Sequence, residues 1–432
     1  MHKIVRTIRS STFLKHNAIF FVGALAAGAL NYLFYPIVAR LLPTGNFGEV
    51  QALVSLFAQI NIFLSVLGLL TVNIVVNSGQ GERRDLVILE LEKLALVVGL
   101  LLMLLSVLFG GSLKQFFHFD SAWPFVGLML AVFVSIPLMF RNAYLRGRQS
   151  FGLVSLLGVL AAGSDLILAV LFVLFHWRTT GVMLGLVLAQ FLTFVYSAWL
   201  ARRAGFSGWR REALFKLPDM RLITPELRYA LVVLVCSLTI TALYSVDTIV
   251  VKHWFDARTA GLYAGIATVG RIIFFVTGTI PQVLLSSVRM NQPAAHNRQA
   301  LAKSLVLLLG IGGSGLLVFS LLPRAIVGLL MGHRFLVYAS LLPRLSLAIF
   351  LVSVINLFVL YHLALRRYTV ALIAVCGAAA AAGFLAVNHQ TPFAVVNDLL
   401  YACAVFGGLL GLWIMRTKSQ PQLTPEQSEL EP

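Results

Sequence analysis

Twelve stretches of this chain are each apolar over about the length that a bilayer's hydrocarbon core demands of a helix, roughly 20 residues. They fall near 17–41, 47–76, 92–111, 123–143, 153–175, 181–201, 227–251, 260–286, 301–322, 338–363, 369–387 and 395–415. A backbone in lipid must satisfy its own N–H and C=O groups, which leaves helices and closed barrels. Barrel strands alternate polar and apolar residues over about ten positions, and these stretches do not alternate. The fold class is therefore all-α integral membrane, with about twelve transmembrane helices. Pro36, Pro137 and Pro281 fall inside the stretches, as membrane helices tolerate. Only 11% of residues are charged, against about 25% in soluble domains.

The charges that remain give orientation. A net charge of +17 invites a nucleic-acid reading, but basic residues also collect in the cytoplasmic loops of membrane proteins. With the N-terminus inside, the inner segments hold 24 Lys and Arg and the outer ones 8. That bias predicts both termini in the cytoplasm and argues against nucleic acid as a partner. Residues 1–16 are basic and partly apolar, which suits a short interfacial helix. The stretch after them is too long for a cleaved signal. The division expected is a six-helix lobe at 1–203, a basic cytoplasmic linker at 204–224, a second six-helix lobe at 225–416 and a polar, disordered tail at 417–432. Cys236, Cys376 and Cys403 lie in apolar runs without metal-ligand spacing, so neither a disulfide nor a metal site is expected.

The two halves echo each other. Arg40–Gly48 (RLLPTGNFG) aligns with His253–Gly261 (HWFDARTAG), each an apolar helix end, a turn and a Gly. Leu145-x-x-Arg148 and Leu363-x-x-Arg366 keep nearly the same offset. Such pseudo-repeats are common among transporters. Small-residue runs at Gly23–Gly28 and Gly377–Gly383 suit close helix packing.

Charges inside the apolar stretches are the candidate site. One at the bilayer centre costs about 2.5–3.5 kcal/mol on insertion scales and persists where it faces a cavity or a partner. Asp247 is expected in a cavity, pairing with an Arg or titrating. Arg271 lies about 16 Å along the eighth stretch at the helical rise, near mid-depth. Its guanidinium suits a paired grip on pyrophosphate, and a salt bridge to Asp247 is the structural alternative. Arg40 either faces the cavity or snorkels to the interface. Arg141 faces the cavity's inner mouth or the cytoplasmic interface. Asp165 is a candidate coupling-ion or gating group, or a packing partner. His362 is either a proton carrier or a hydrogen-bonded structural residue. Tyr32, Tyr35, Tyr244 and Tyr263 suit sugar stacking or the membrane interface.

Asn17, Ala39-Arg40-Leu41-Leu42-Pro43 with Phe47-Gly48, Leu145-Arg146-Gly147, Asp247, and Gly261-Leu262-Tyr263 with Arg271 beyond resemble the oligosaccharide (polysaccharide) flippase family. That family belongs to the multidrug/oligosaccharidyl-lipid/polysaccharide exporters. The resemblance implies two six-helix lobes around a central cavity. It implies as substrate an undecaprenyl-pyrophosphate-linked sugar repeat unit, such as an O-antigen unit, flipped in the bacterial inner membrane. Polymerase and other polysaccharide-assembly proteins are the implied partners, alongside membrane lipids. Relatives that flip the peptidoglycan precursor usually have fourteen spans, and this chain has room for twelve.

No Walker P-loop, HExxH, DDxxD or GxSxG occurs. The expectation is a transporter, without cofactor, driven by a gradient or by consumption of its product. Rival readings are a drug or small-solute exporter of the same fold, whose cavity would favour acids, a membrane glycan polymerase or ligase, which would need a large outer loop, and a membrane scaffold.

Overall fold

A computed structural model of the full chain describes residues 12–77, 82–148, 150–206, 224–278, 280–281, 283–284, 288, 293–365, 367, 369–387 and 390–416. Residues 1–11 of the proposed interfacial helix, most of the linker and the tail lie outside the described residues, and residues 12–16 belong to the first long helix. Those described contain helices and no strand, as a chain in lipid requires.

Helix α1 is Thr12–Leu41, α2 Thr44–Asn77, α3 Glu82–Leu108, α4 Gly110–Phe116, α5 Trp123–Gly147, α6 Phe151–Leu174 and α7 Arg178–Arg203. There follow α8 Thr224–Trp254, α9 Ala257–Gly270, α10 Ile272–Thr277, α11 Ala294–Leu321, α12 Pro323–Leu330, a 3-10 segment His333–Leu341, α13 Leu342–Ala364, α14 Thr369–Val387 and α15 Pro392–Arg416. Ten of the described spans are long and apolar enough to cross a membrane, and shorter apolar helices occupy Leu25–Leu41 and Thr369–Leu385. Each of the twelve stretches thus lies mainly on helix in its described residues. The eighth begins at Ala257 and breaks at Arg271, which separates α9 from α10.

The chain forms two compact units. The first comprises Met1–Thr241, Ser245–Val269 and Arg324–Ser340. In it α1 packs along α6, α6 along α7, and α5 against α2, α3 and α7. Backbones approach where side chains are small. A Cβ at Gly185 of α7 would stand 2.7 Å from the Ala169 nitrogen of α6. A core of Ile88, Leu91, Ile136, Phe140, Tyr144 and Phe206 joins α3, α5 and the residues after α7. The opposite face of α3, with Leu100, Leu101, Leu104 and Leu108, is exposed, as a lipid-facing surface should be.

The second unit comprises Ala242–Tyr244, Gly270–Pro323 and Leu341–Pro432. Here α13 is central, packed by α11 and α15, while α14 packs on α15 and α10 on α11 and α13. Its core includes Ile280, Leu284, Leu308, Leu357 and Tyr361. Thr277 donates a 3.1 Å hydrogen bond to Ser353 across α10 and α13.

Candidate functional site

Arg271 stands at the break between α9 and α10 and is buried, with 5% of its surface exposed. Its Nε donates to the Tyr244 carbonyl oxygen at 2.9 Å, and its guanidinium carbon lies 5.2 Å from the centre of the Tyr244 ring. That ring is flanked by Phe274 at 4.8 Å and Phe275 at 5.9 Å. The Tyr244 carbonyl and ring are thus two of the groups that hold the head group. A guanidinium keeps its charge in such surroundings, because it does not deprotonate in proteins.

Asp247 belongs to the first unit and is fully buried on α8. The Tyr263 hydroxyl donates to its Oδ2 at 2.7 Å, and Tyr263 is itself fully buried. Two of the tyrosines noted for sugar stacking therefore hold the two central charges: Tyr244 beside Arg271, Tyr263 on Asp247.

The paired turns of the internal echo meet inside the first unit. Gly45 faces Ala257, where a Cβ would come within 3.0 Å of the alanine's own. Gly48 faces Gly261, and a Cβ at Gly261 would overlap the Thr44 carbonyl. Phe47 stacks edge-on with Phe335 at 5.9 Å. Arg40 is exposed and donates from Nη2 to the Leu329 carbonyl at 2.6 Å.

Around these turns sits a polar cluster that sequence reasoning passed over. Glu49 is buried and accepts from Thr179 Oγ1 at 2.5 Å, Asn46 Nδ2 at 3.2 Å and the Asp120 backbone N–H at 3.2 Å. Lys252, 1% exposed, donates to the His118 carbonyl at 3.2 Å, and its ammonium lies 4.9 Å from the Phe119 ring centre. His253 Nδ1 lies 2.5 Å from the Phe116 carbonyl. The available signal was Glu49 itself, an acid just inside an apolar stretch.

Arg141 makes a bidentate ion pair with Glu92 at 2.8 and 3.1 Å and lies 4.4 Å from the Phe206 ring centre. Both partners are buried. Asp165 of α6 has a buried Oδ1 without a hydrogen-bond partner, and so does the Tyr32 hydroxyl of α1. These helices run parallel, with Gly158 against Ala27 and Gly163 against Leu30. The next step of that register brings Tyr32 and Asp165 to one level. His362 is buried with neither ring nitrogen hydrogen-bonded, and its ring stands edge-on to Trp413 at 4.5 Å. Among the described residues no group of His, Cys, Asp and Glu could hold a metal.

The long apolar helices and the paired turns define a multi-pass helical membrane protein. The chain belongs to the polysaccharide biosynthesis protein family, whose sequence profile matches residues 13–286. A comparison with curated protein sequences returned no match. The structure resembles the lipid II flippase MurJ in an inward-closed conformation, with TM-score 0.71 and 12% identity over 93% of this chain and 88% of that one. It also resembles an inward-facing multidrug resistance MATE transporter of the MOP superfamily, with TM-score 0.68 and 14% identity over 90% and 94%. A MOP superfamily transporter from Pyrococcus furiosus, with a binding pocket of reversed polarity, aligns at TM-score 0.58 and 15% identity over 92% and 94%. These likenesses establish the fold.

Proposed function

We propose that this protein is a flippase for undecaprenyl-pyrophosphate-linked oligosaccharide repeat units. It moves them from the inner to the outer leaflet of the bacterial cytoplasmic membrane for surface polysaccharide synthesis, without catalysing a covalent step. The observation that carries the reading is the charge around Arg271. From Ala257 to Asn397 the chain contains no Asp or Glu, yet it contains ten Lys and Arg. Asp398 is the single carboxylate among the described residues of the second unit. A buried guanidinium in so basic a unit favours an anion. A guanidinium has the fork geometry that matches pyrophosphate oxygens, and Tyr244 holds that of Arg271 in place.

In this reading two six-helix lobes enclose a cavity, and Arg271, Asp247, Arg40 and Arg141 line or brace it. The polyprenyl tail remains in lipid while pyrophosphate and sugars enter the cavity. The lobes rock, and the meeting of the Gly48 and Gly261 turns is the outer seal that must part. The termini are cytoplasmic. The membrane potential helps, at about 2.3 kcal/mol per charge per 100 mV. Asp165 and Tyr32 form the candidate coupling pair, since an unpartnered acid inside a span persists when it serves function.

The fold likeness to MATE transporters favours a second reading, export of a small solute. Proteoliposomes loaded with fluorescent lipid-linked oligosaccharide, and in parallel with a cationic dye, separate the two. The proposal expects movement of the glycolipid and none of the dye. Dye export without glycolipid movement overturns it.

A further inference from the structure

The acid-free part of the chain has a feature that transport through Arg271 does not use. Over its most apolar 18 residues, helix α11 buries the smallest share among the ten long spans. Along one stripe at helical spacing, His296, Gln299, Ala300, Lys303 and Ser304 line a hollow of about 240 Å³. His296, Gln299 and Lys303 are exposed, and the small, half-buried Ala300 and Ser304 beside them leave room for the hollow. One turn further on the exposed surface becomes apolar, with Val306 71%, Leu307 52% and Ile311 39% exposed. The basic groups of the stripe are His296 and Lys303. No carboxylate occurs in residues 257–397 to neutralise any of them.

We propose that this hollow is a binding site for the headgroup of an anionic phospholipid. The chemistry is ordered along the helix as it is along a lipid. Lys303 and His296 face the phosphate, Gln299 and Ser304 supply donors to its oxygens or to the headgroup hydroxyls, and the acyl chains run down Val306, Leu307 and Ile311. The volume lies below the roughly 300 Å³ at which sites for drug-sized ligands begin, so it suits a headgroup rather than a whole oligosaccharide. Basic pockets at membrane interfaces are a recurring way to hold acidic lipids. A general excess of positive charge in inner segments would not need a hollow, nor an apolar run aligned with it. The site stands apart from the transport reading and survives its failure.

The test is native mass spectrometry of the full-length protein, delipidated in detergent and titrated with dioleoylphosphatidylglycerol or dioleoylphosphatidylcholine. The expected result is tighter binding of the first phosphatidylglycerol, weakened about fivefold in Lys303→Gln, in line with one basic residue at an anionic surface. Phosphatidylcholine binding should not change. Lys114→Gln, an exposed cation on α4, should leave both lipids as in the wild type. Both positions are exposed, so unchanged melting curves should confirm folding. Equal affinity for the two lipids, or equal loss in the two variants, would overturn the site. Displacement by millimolar inorganic phosphate would make it a free-phosphate site, and displacement by polyprenyl pyrophosphate a substrate site. Either would overturn the phospholipid assignment.

Discussion

Gly48 and Gly261 face each other so closely that a Cβ on Gly48 would stand 2.8 Å from the Gly261 backbone nitrogen. The two residues occupy matching places in the repeated turns, four residues into α2 and α9. An added methyl has nowhere to go, because the nearest atoms are backbone. Gly261→Ala is expected to destabilise the protein by roughly 1–3 kcal/mol, the usual range for overpacking. A melting curve in detergent checks this.

The same meeting of turns can be locked. With Cys236, Cys376 and Cys403 replaced by serine or alanine, Gly45→Cys and Ala257→Cys should form a disulfide. Their Cβ positions, 3.0 Å apart, need only a small shift to reach the usual 3.5–4.5 Å. If this seal parts during transport, the oxidised double variant is inactive and a reductant restores it. Full activity in the cross-linked state would mean that the turns stay together throughout.

The Arg141–Glu92 pair is buried on both sides, so removing one partner strands a charge. Glu92→Gln is expected to cost about 3–5 kcal/mol, whereas Glu92→Leu with Arg141→Met should recover most of it. Transport by that double variant reports on Arg141 directly. Activity near wild type would assign it to bracing α3 against α5 rather than to the substrate.

Much of the architecture was legible in the sequence because the bilayer sets helix length and leaves few alternatives. The echo of RLLPTGNFG in HWFDARTAG likewise marked turns that prove to pack together. Partners were not legible. Glu92 and Arg141 lie 49 residues apart and Glu49 and Thr179 lie 130 apart. In lipid, helix register depends on small-residue contacts such as Gly185 on Ala169 rather than on hydrophobic patterning. The break at Arg271 was hidden for a related reason. Nothing in GRIIFF forbids helix, and only the packed structure places a turn there.

Asp256 gives a pH-dependent prediction outside the spans. It caps α9, accepting from the backbone N–H groups of Arg258 at 3.0 Å and Thr259 at 3.1 Å. The Thr259 side-chain hydrogen bond, aided by those amides, holds its carboxyl below the usual carboxylate range. A lowered folded-state value means that the stabilisation is present above the ordinary carboxylate pKa of about 3.9. It is lost as pH falls through the lower folded-state value. At neutral pH Asp256→Ala should lose roughly 0.5–2 kcal/mol and Asp256→Asn much less, since asparagine caps well. Melting curves of wild type and Asp256→Ala should converge as the medium is acidified.

Asp165 predicts a change in coupling. If the Asp165–Tyr32 level carries a proton, Asp165→Asn transports at a rate independent of an imposed pH gradient, where the wild type responds to it. A variant that still follows the gradient removes Asp165 from coupling.

The most direct test of the central claim is the transfer of fluorescent lipid-linked oligosaccharide across proteoliposome membranes by wild type, Arg271→Lys and Arg271→Ala, at matched protein levels. The account predicts transport by the wild type and a drop of about ten- to a hundredfold in Arg271→Ala, the worth of a charged hydrogen-bonding group. Arg271→Lys should fall between them, because it keeps the charge and loses the fork. Equal transport by wild type and Arg271→Ala would contradict the account.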